Sequence, residues 1–163
     1  MTAGEIVVGI DDSASARAAI RWAADYARST GSTIRAIHVI KMPDEHDMYA
    51  YPVVADYMYS DPSQLDDRYR LPSRRVFEAV DPEPNWSLQF GQGHPGRILV
   101  GESKQAQVLV LGAREHRGLE RLRVGSVGHY CLSHAFCPVV SVPAPRQERK
   151  AKKTNQSVDA NAS

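Results

Sequence analysis

Residues 5–40 hold the pattern that most constrains the fold. Residues 5–10 (EIVVGI) are a compact apolar run rich in β-branched residues, as a buried strand requires. Asp11-Asp12-Ser13 ends the run, and Ser13 is a residue type that caps helix N-termini. Ala16, Ala19, Ile20, Ala23, Tyr26 and Ala27 then recur at helical spacing, and Gly31 supplies a C-terminal stop. Residues 32–40 (STIRAIHVI) form a second strand. Strand, helix and strand make a βαβ unit, which is right-handed almost without exception.

The remaining apolar runs repeat this alternation. Residues 86–90 (WSLQF) alternate as a third strand, and residues 97–104 form a short helix. Residues 108–111 are a fourth strand and residues 126–135 a further helix. Its Cys131-Leu132 and Ala135 continue an apolar face begun by Val127. Residues 138–142 (PVVSV) are a fifth strand. Strands alternating with helices define an α/β fold with a mostly parallel sheet.

Two stretches fall outside the pattern. Residues 41–81 hold Tyr49, Tyr51, Tyr57, Tyr59 and Tyr69 among prolines at 43, 52, 62 and 72, which forbid one long helix. A short helix is expected around residues 73–80. The rest reads as a long loop over the sheet edge, with a tyrosine-rich partner surface as the alternative. Residues 146–163 are polar and aperiodic, and are expected to be disordered. The chain of 163 residues therefore reads as one domain, residues 1–145, with a tail.

Charge narrows the partners. The whole chain carries +1, so no global charge points to nucleic acid or to a membrane surface. The tail is basic through Arg146, Arg149, Lys150, Lys152 and Lys153, but it lacks interleaved aromatic residues. A solubilising role is expected for it, and no specific nucleic-acid partner. Glu5, Asp11 and Asp12 interrupt the first apolar run too early for a signal peptide, and no run approaches transmembrane length. Cys131 and Cys137 make no disulfide framework and suit a reducing cytosol. A cytoplasmic protein is expected.

Chemistry concentrates in residues 108–127 (VLVLGAREHRGLERLRVGSV). A strand stops at Gly112, a basic loop follows, and a helix opens at Gly125-Ser126. Strand, glycine-containing loop and helix start present backbone N–H groups to an anion, usually a phosphate. In parallel sheets ligands lie beyond the carboxyl ends of the strands, where the strand order reverses. The candidate loops are those after the first strand, at Asp11, and after the fourth, at Gly112. Asp11 and Asp12 diverge as neighbours. One is expected to face the pocket and the other to support the helix start.

Other motifs dissolve under geometry. Residues 91–96 (GQGHPG) match G-x-G-x-x-G, yet follow the third strand, so they read as a tight turn and a helix started by Pro95. His129 and Cys131 point about 200° apart on a helix and cannot share a metal. Residues 124–128 lack the first glycine of a nucleophile elbow. No P-loop is present. No residue set resembles a general base with an oriented water, so no catalytic and no metal-ligating residue is assigned.

VVGIDDS at 7–13, GHPGRIL at 93–99, and Gly112, Gly125-Ser126-Val127 and CPVVSV at 137–142 resemble the universal stress protein family. The likeness covers about residues 4–143, with 41–81 poorly matched. It implies a Rossmann-like open sheet of five strands in order 3-2-1-4-5, with helices on both faces. It also implies a homodimer through the last strand, Val139 to Val142. Members that bind ATP resemble G-x2-G-x9-G-[ST] after strand four. Gly112, Gly125 and Ser126 fit that pattern, and Glu115 stands at its middle glycine.

By the same resemblance Asp11 accepts from ribose hydroxyls, and the backbone of Val39 meets the adenine edge. The backbones of Gly112, Gly125, Ser126 and Val127 hold phosphates, beside the cation of Arg114. Glu115 opposes this. Two like charges about 4 Å apart repel by roughly 4 kcal/mol at an effective dielectric near 20. Arg114, Arg117, Arg121 and Arg123 lie in the same loop as offsets. Glu115 can pair outward with one of them, contact a phosphate-bound metal, or block the site. Two functions follow. One is a dimeric stress-response protein that binds ATP, with or without Mg²⁺, and at most hydrolyses it slowly. The other is a dimeric protein-interaction module that binds no nucleotide.

Overall fold

The computed structural model describes residues 4–41, 68, 70–113 and 125–145. Five strands carry the fold: β1 (Glu5–Gly9), β2 (Thr33–Lys41), β3 (Ser87–Gly93), β4 (Val108–Ala113) and β5 (Val139–Pro143). Among the described residues four helices connect or flank them: α1 (Ala14–Thr30), α2 (Leu71–Glu78), α3 (Pro95–Glu102) and α4 (Ser126–His134). All strand pairs are parallel, and the order is β3-β2-β1-β4-β5. This is the Rossmann-like arrangement implied by the resemblance.

Alternation along each central strand splits the core in two. Ile6 and Val8 face α1 and α2, where they meet Ala19, Ile20, Ala23, Ala27, Val76 and Phe77. Val7 faces the opposite side, where Ile37, Leu109 and Leu111 meet Leu99 of α3 and Cys131 of α4. A period of two puts neighbours on opposite faces, so a strand covered on both sides is apolar throughout. Each fully buried aliphatic side chain contributes roughly 1.5–3 kcal/mol. The buried face of α1 is mostly alanine, which lets this helix lie close to the sheet. Ser13 caps α1 by accepting from Ala16 N, and Gly31 ends it at φ 69°, as the sequence predicts.

Three expectations are corrected. The glycine-rich stretch after Phe90 is not a tight turn: Gly91, Gln92 and Gly93 continue β3 in register with Val39, Ile40 and Lys41. The long second strand offers a partner that local turn chemistry does not reveal. Pro95 does start a helix, with His94 as its cap. The helix expected at 73–80 begins two residues earlier, at Leu71, with Pro72 in its first turn. Leu132 does not share the apolar face of α4 and is 51% exposed. At 100° per residue it lies about 140° from Val127, whereas Cys131 lies about 40° from it.

The tyrosine-rich stretch 48–59, most of the 41–81 region, Arg114 and Glu115 with the rest of 114–124, and the tail 146–163 lie outside the described residues. Among the described residues no helix is long and apolar enough to cross a membrane.

Candidate functional site

A cavity of about 510 Å³ opens at the carboxyl edge of the sheet. It lies where the chain order reverses, since β1 pairs with β2 on one side and β4 on the other. Asp11, Val39, Gly112, Gly125, Ser126 and Val127 all line it. The first turns of three helices border it as well, through Ser13 and Ser15 of α1, Pro95 of α3 and Ser126 of α4. A helix N-terminus carries about half a positive charge. Three such ends on one cavity favour an anion.

The three ends differ in what remains free. At α1, Asp11 Oδ1 accepts from Ser13 N at 2.9 Å, and Ser13 Oγ accepts from Ala16 N at 3.1 Å. Asp12 is exposed. Asp11 therefore both lines the cavity and supports the helix start, where the sequence suggested a division of labour between the two acids. Its second carboxylate oxygen makes no hydrogen bond among the described residues. At α3, His94 Nδ1 accepts from Arg97 N at 3.3 Å. At α4 the capping residue is Gly125, at φ −61° and ψ 170°, which has no side chain to cap with. His129 N donates to Gly125 O at 2.8 Å and closes the turn. The N–H groups of Ser126, Val127 and Gly128 have no intrahelical partner.

Gly112 is held by packing. A Cβ there would lie 2.6 Å from the carbonyl carbon of Ser15 and 2.8 Å from Ala16 N, both in the first turn of α1. Only a glycine lets this turn approach the end of β4 so closely. Gly96 has a similar role between α3 and α4, since a Cβ there would lie 2.8 Å from the Tyr130 ring.

Sequence reasoning missed four residues on the cavity wall: His38, Lys41, His94 and Tyr130. Lys41 ends β2 at the carboxyl edge of the sheet, which is itself a signal once strand direction is known. His94 and Tyr130 come together through the α3–α4 contact, with ring centroids 5.6 Å apart, and Tyr130 stacks on His134 at 4.3 Å. His38 donates through Nδ1 to the Ile10 carbonyl at 3.0 Å. Cys131 is fully buried beneath α4, and burial pushes its thiol up to about 11. His129, on the same helix, is exposed.

A doubly covered parallel sheet with helix starts converging on a cavity at its reversal defines an α/β protein of the Rossmann-like kind. Comparison with known proteins identifies the family. The model of the universal stress protein family matches residues 3–143, and the chain belongs to this family. A universal stress protein from Mycolicibacterium smegmatis is 30% identical over 139 residues, covering 84% of this chain and 47% of the relative. The chain spans about half the length of the first curated relatives it matches. The solved structure of UspA from Lactobacillus plantarum is 25% identical, with a TM-score of 0.64 over 85% of this chain and 97% of that one. The universal stress protein from Archaeoglobus fulgidus in complex with dAMP is 19% identical, with a TM-score of 0.57 over 87% and 99%.

Proposed function

We propose that the chain binds an adenine nucleotide, ATP with or without Mg²⁺, in the cavity at the carboxyl edge, and acts as a cytoplasmic stress-response regulator. The observation that carries this reading is the start of α4. Gly125 leaves three backbone N–H groups beside the cavity, while the starts of α1 and α3 are capped by their own side chains. Ser126 adds a hydroxyl donor. Asp11, with one carboxylate oxygen unengaged, suits ribose hydroxyls at the other end. The A. fulgidus relative, solved with dAMP, supports the choice of an adenine nucleotide.

The test is calorimetric titration with ATP, with and without Mg²⁺, on the native chain, on Glu115→Gly and on Asp11→Ala. Binding by the native chain that Asp11→Ala weakens supports the proposal. Binding by the glycine variant alone overturns it. That outcome favours a second reading, a protein-interaction module with an impaired site. The observation behind this second reading is the glutamate at 115.

Either reading includes a homodimer through β5. This strand lies at the edge of the sheet, and Val139, Val140 and Val142 are half-buried. An apolar edge strand offers its backbone to a second copy. Val140→Asp is expected to yield monomers, and an unchanged sedimentation profile counts against this pairing.

A further inference from the structure

Two hydrogen bonds mark where the β1–β2 ladder ends. Ile10, the first residue past β1, donates its N–H to the Ile37 carbonyl at 3.0 Å. In a regular parallel ladder the next rung would run from Val39 N–H to the Ile10 carbonyl. That rung is replaced. The Ile10 carbonyl accepts instead from the His38 side chain at 3.0 Å. A carbonyl only accepts, so Nδ1 of His38 carries the proton. The ring is steadied by the edge of Phe90, with centroids 6.0 Å apart and planes at 70°.

The consequence falls on Val39. Backbone groups of a central strand alternate between its two neighbours. Ile37 turns its carbonyl to β1, so Val39 turns its own N–H and carbonyl to the same side, past the end of β1. With the Ile10 carbonyl taken, the Val39 peptide edge is left beside the cavity that Val39 lines. Ile10 also leads directly into Asp11.

We propose that His38 is a positioning residue: it withdraws the Ile10 carbonyl from the ladder, leaves the Val39 peptide edge to a ligand, and fixes the turn that carries Asp11. This deepens the nucleotide reading and rests on it. The ligand class is a nucleoside whose planar base offers an adjacent donor and acceptor to one peptide edge. The phosphate end, at α4, does not depend on His38.

The experiment uses the full chain, His38→Leu and His38→Asn. Asparagine places a donor near the Nδ1 position, and leucine keeps bulk without one. Amide hydrogen exchange reads the ladder without any ligand. The Val39 amide should exchange fast in the native chain, slow at least about tenfold in His38→Leu as it takes the Ile10 carbonyl, and recover in His38→Asn. Calorimetry reads the ligand. Adenosine affinity should fall about tenfold in His38→Leu and return in His38→Asn, while inorganic tripolyphosphate binds all three chains alike. A protected Val39 amide in the native chain overturns the proposal. So does an equal loss of both ligands in His38→Leu, or no rescue by asparagine. A native chain that binds neither adenosine nor ATP overturns the nucleotide reading itself, and the exchange pattern separates that failure from an error in the His38 geometry.

Discussion

The starts of α1 and α4 border the same cavity and are built in opposite ways. At α1, Ser13 Oγ accepts from the first-turn N–H of Ala16, and Asp11 accepts from the N–H of Ser13 just before the helix, so side chains of the chain itself engage this start. At α4, Gly125 stands in the capping position, and the first-turn N–H groups have no such side chain behind them. A closed helix start stabilises the fold. An open one gives up that stabilisation and leaves a place for an anion. The difference leaves a side-chain cap at one end of the cavity and uncapped first-turn N–H groups at the other.

Gly112 joins the two ends, and changing it should have the largest effect. It is the next-to-last residue of β4, and its missing side chain makes room for the first turn of α1. The groups a Cβ would strike are backbone atoms, which cannot rotate away. Gly112→Ala is expected to destabilise the fold by roughly 3 kcal/mol. Urea denaturation checks this. An unchanged midpoint would mean that the closed start of α1 does not depend on close packing against β4.

Cys131 tests the underside of the open start. Its thiol is buried in the folded chain and its pKa is raised from 9.0 to about 11. Thiolate forms in the unfolded chain first. The contribution of the buried thiol is thus fully present below pH 9 and is lost as the pH rises toward 11. Two pKa units correspond to roughly 2–3 kcal/mol. Stability measured across this window should fall more steeply in the native chain than in Cys131→Ala. Parallel profiles would place the thiol in contact with solvent and α4 more loosely on the sheet.

Much of this architecture is legible in the sequence. Ile6, Val7 and Val8 buried on both faces, Ala16 to Ala27 at helical spacing, and Gly31 as a stop all follow from local periodicity and capping chemistry. What was hidden depends on register between distant strands. Gly91-Gln92-Gly93 looks like a turn until Val39, Ile40 and Lys41 are seen to pair with it. The bond from His38 to Ile10 needs β1 to end where β2 continues, and no local pattern encodes that offset. Gly112 is singled out for a phosphate, and its packing against the first turn of α1 is a second demand for glycine that no local pattern encodes. Glu115 and Arg114 lie outside the described residues, so their bearing on the site rests on the titration proposed above.

The cap of α1 should matter moderately. Ser13→Ala removes the acceptor for Ala16 N and is expected to cost about 1 kcal/mol. Ser126→Ala should cost less than about 0.5 kcal/mol, because Ser126 is inside α4 and caps nothing. Equal losses in chemical denaturation would erase the contrast between a closed and an open start.

The smallest change in stability comes from closing the open start. Gly125 has φ −61°, a value that any residue adopts, so an asparagine there meets no backbone strain. Its side-chain carbonyl would accept from a first-turn N–H of α4, as Ser13 does at α1. Gly125→Asn is expected to raise stability by only a few tenths of a kcal/mol. The same bond takes a donor away from the cavity, so ATP affinity should fall about tenfold even as the fold gains. Gly125→Ala separates capping from bulk, since alanine adds a side chain with no acceptor and is a poor cap. If asparagine and alanine weaken ATP equally, bulk is the cause and the open N–H groups are not the anion site. If asparagine alone weakens it while stabilising the helix, the two ends of the cavity differ in function because they differ in capping.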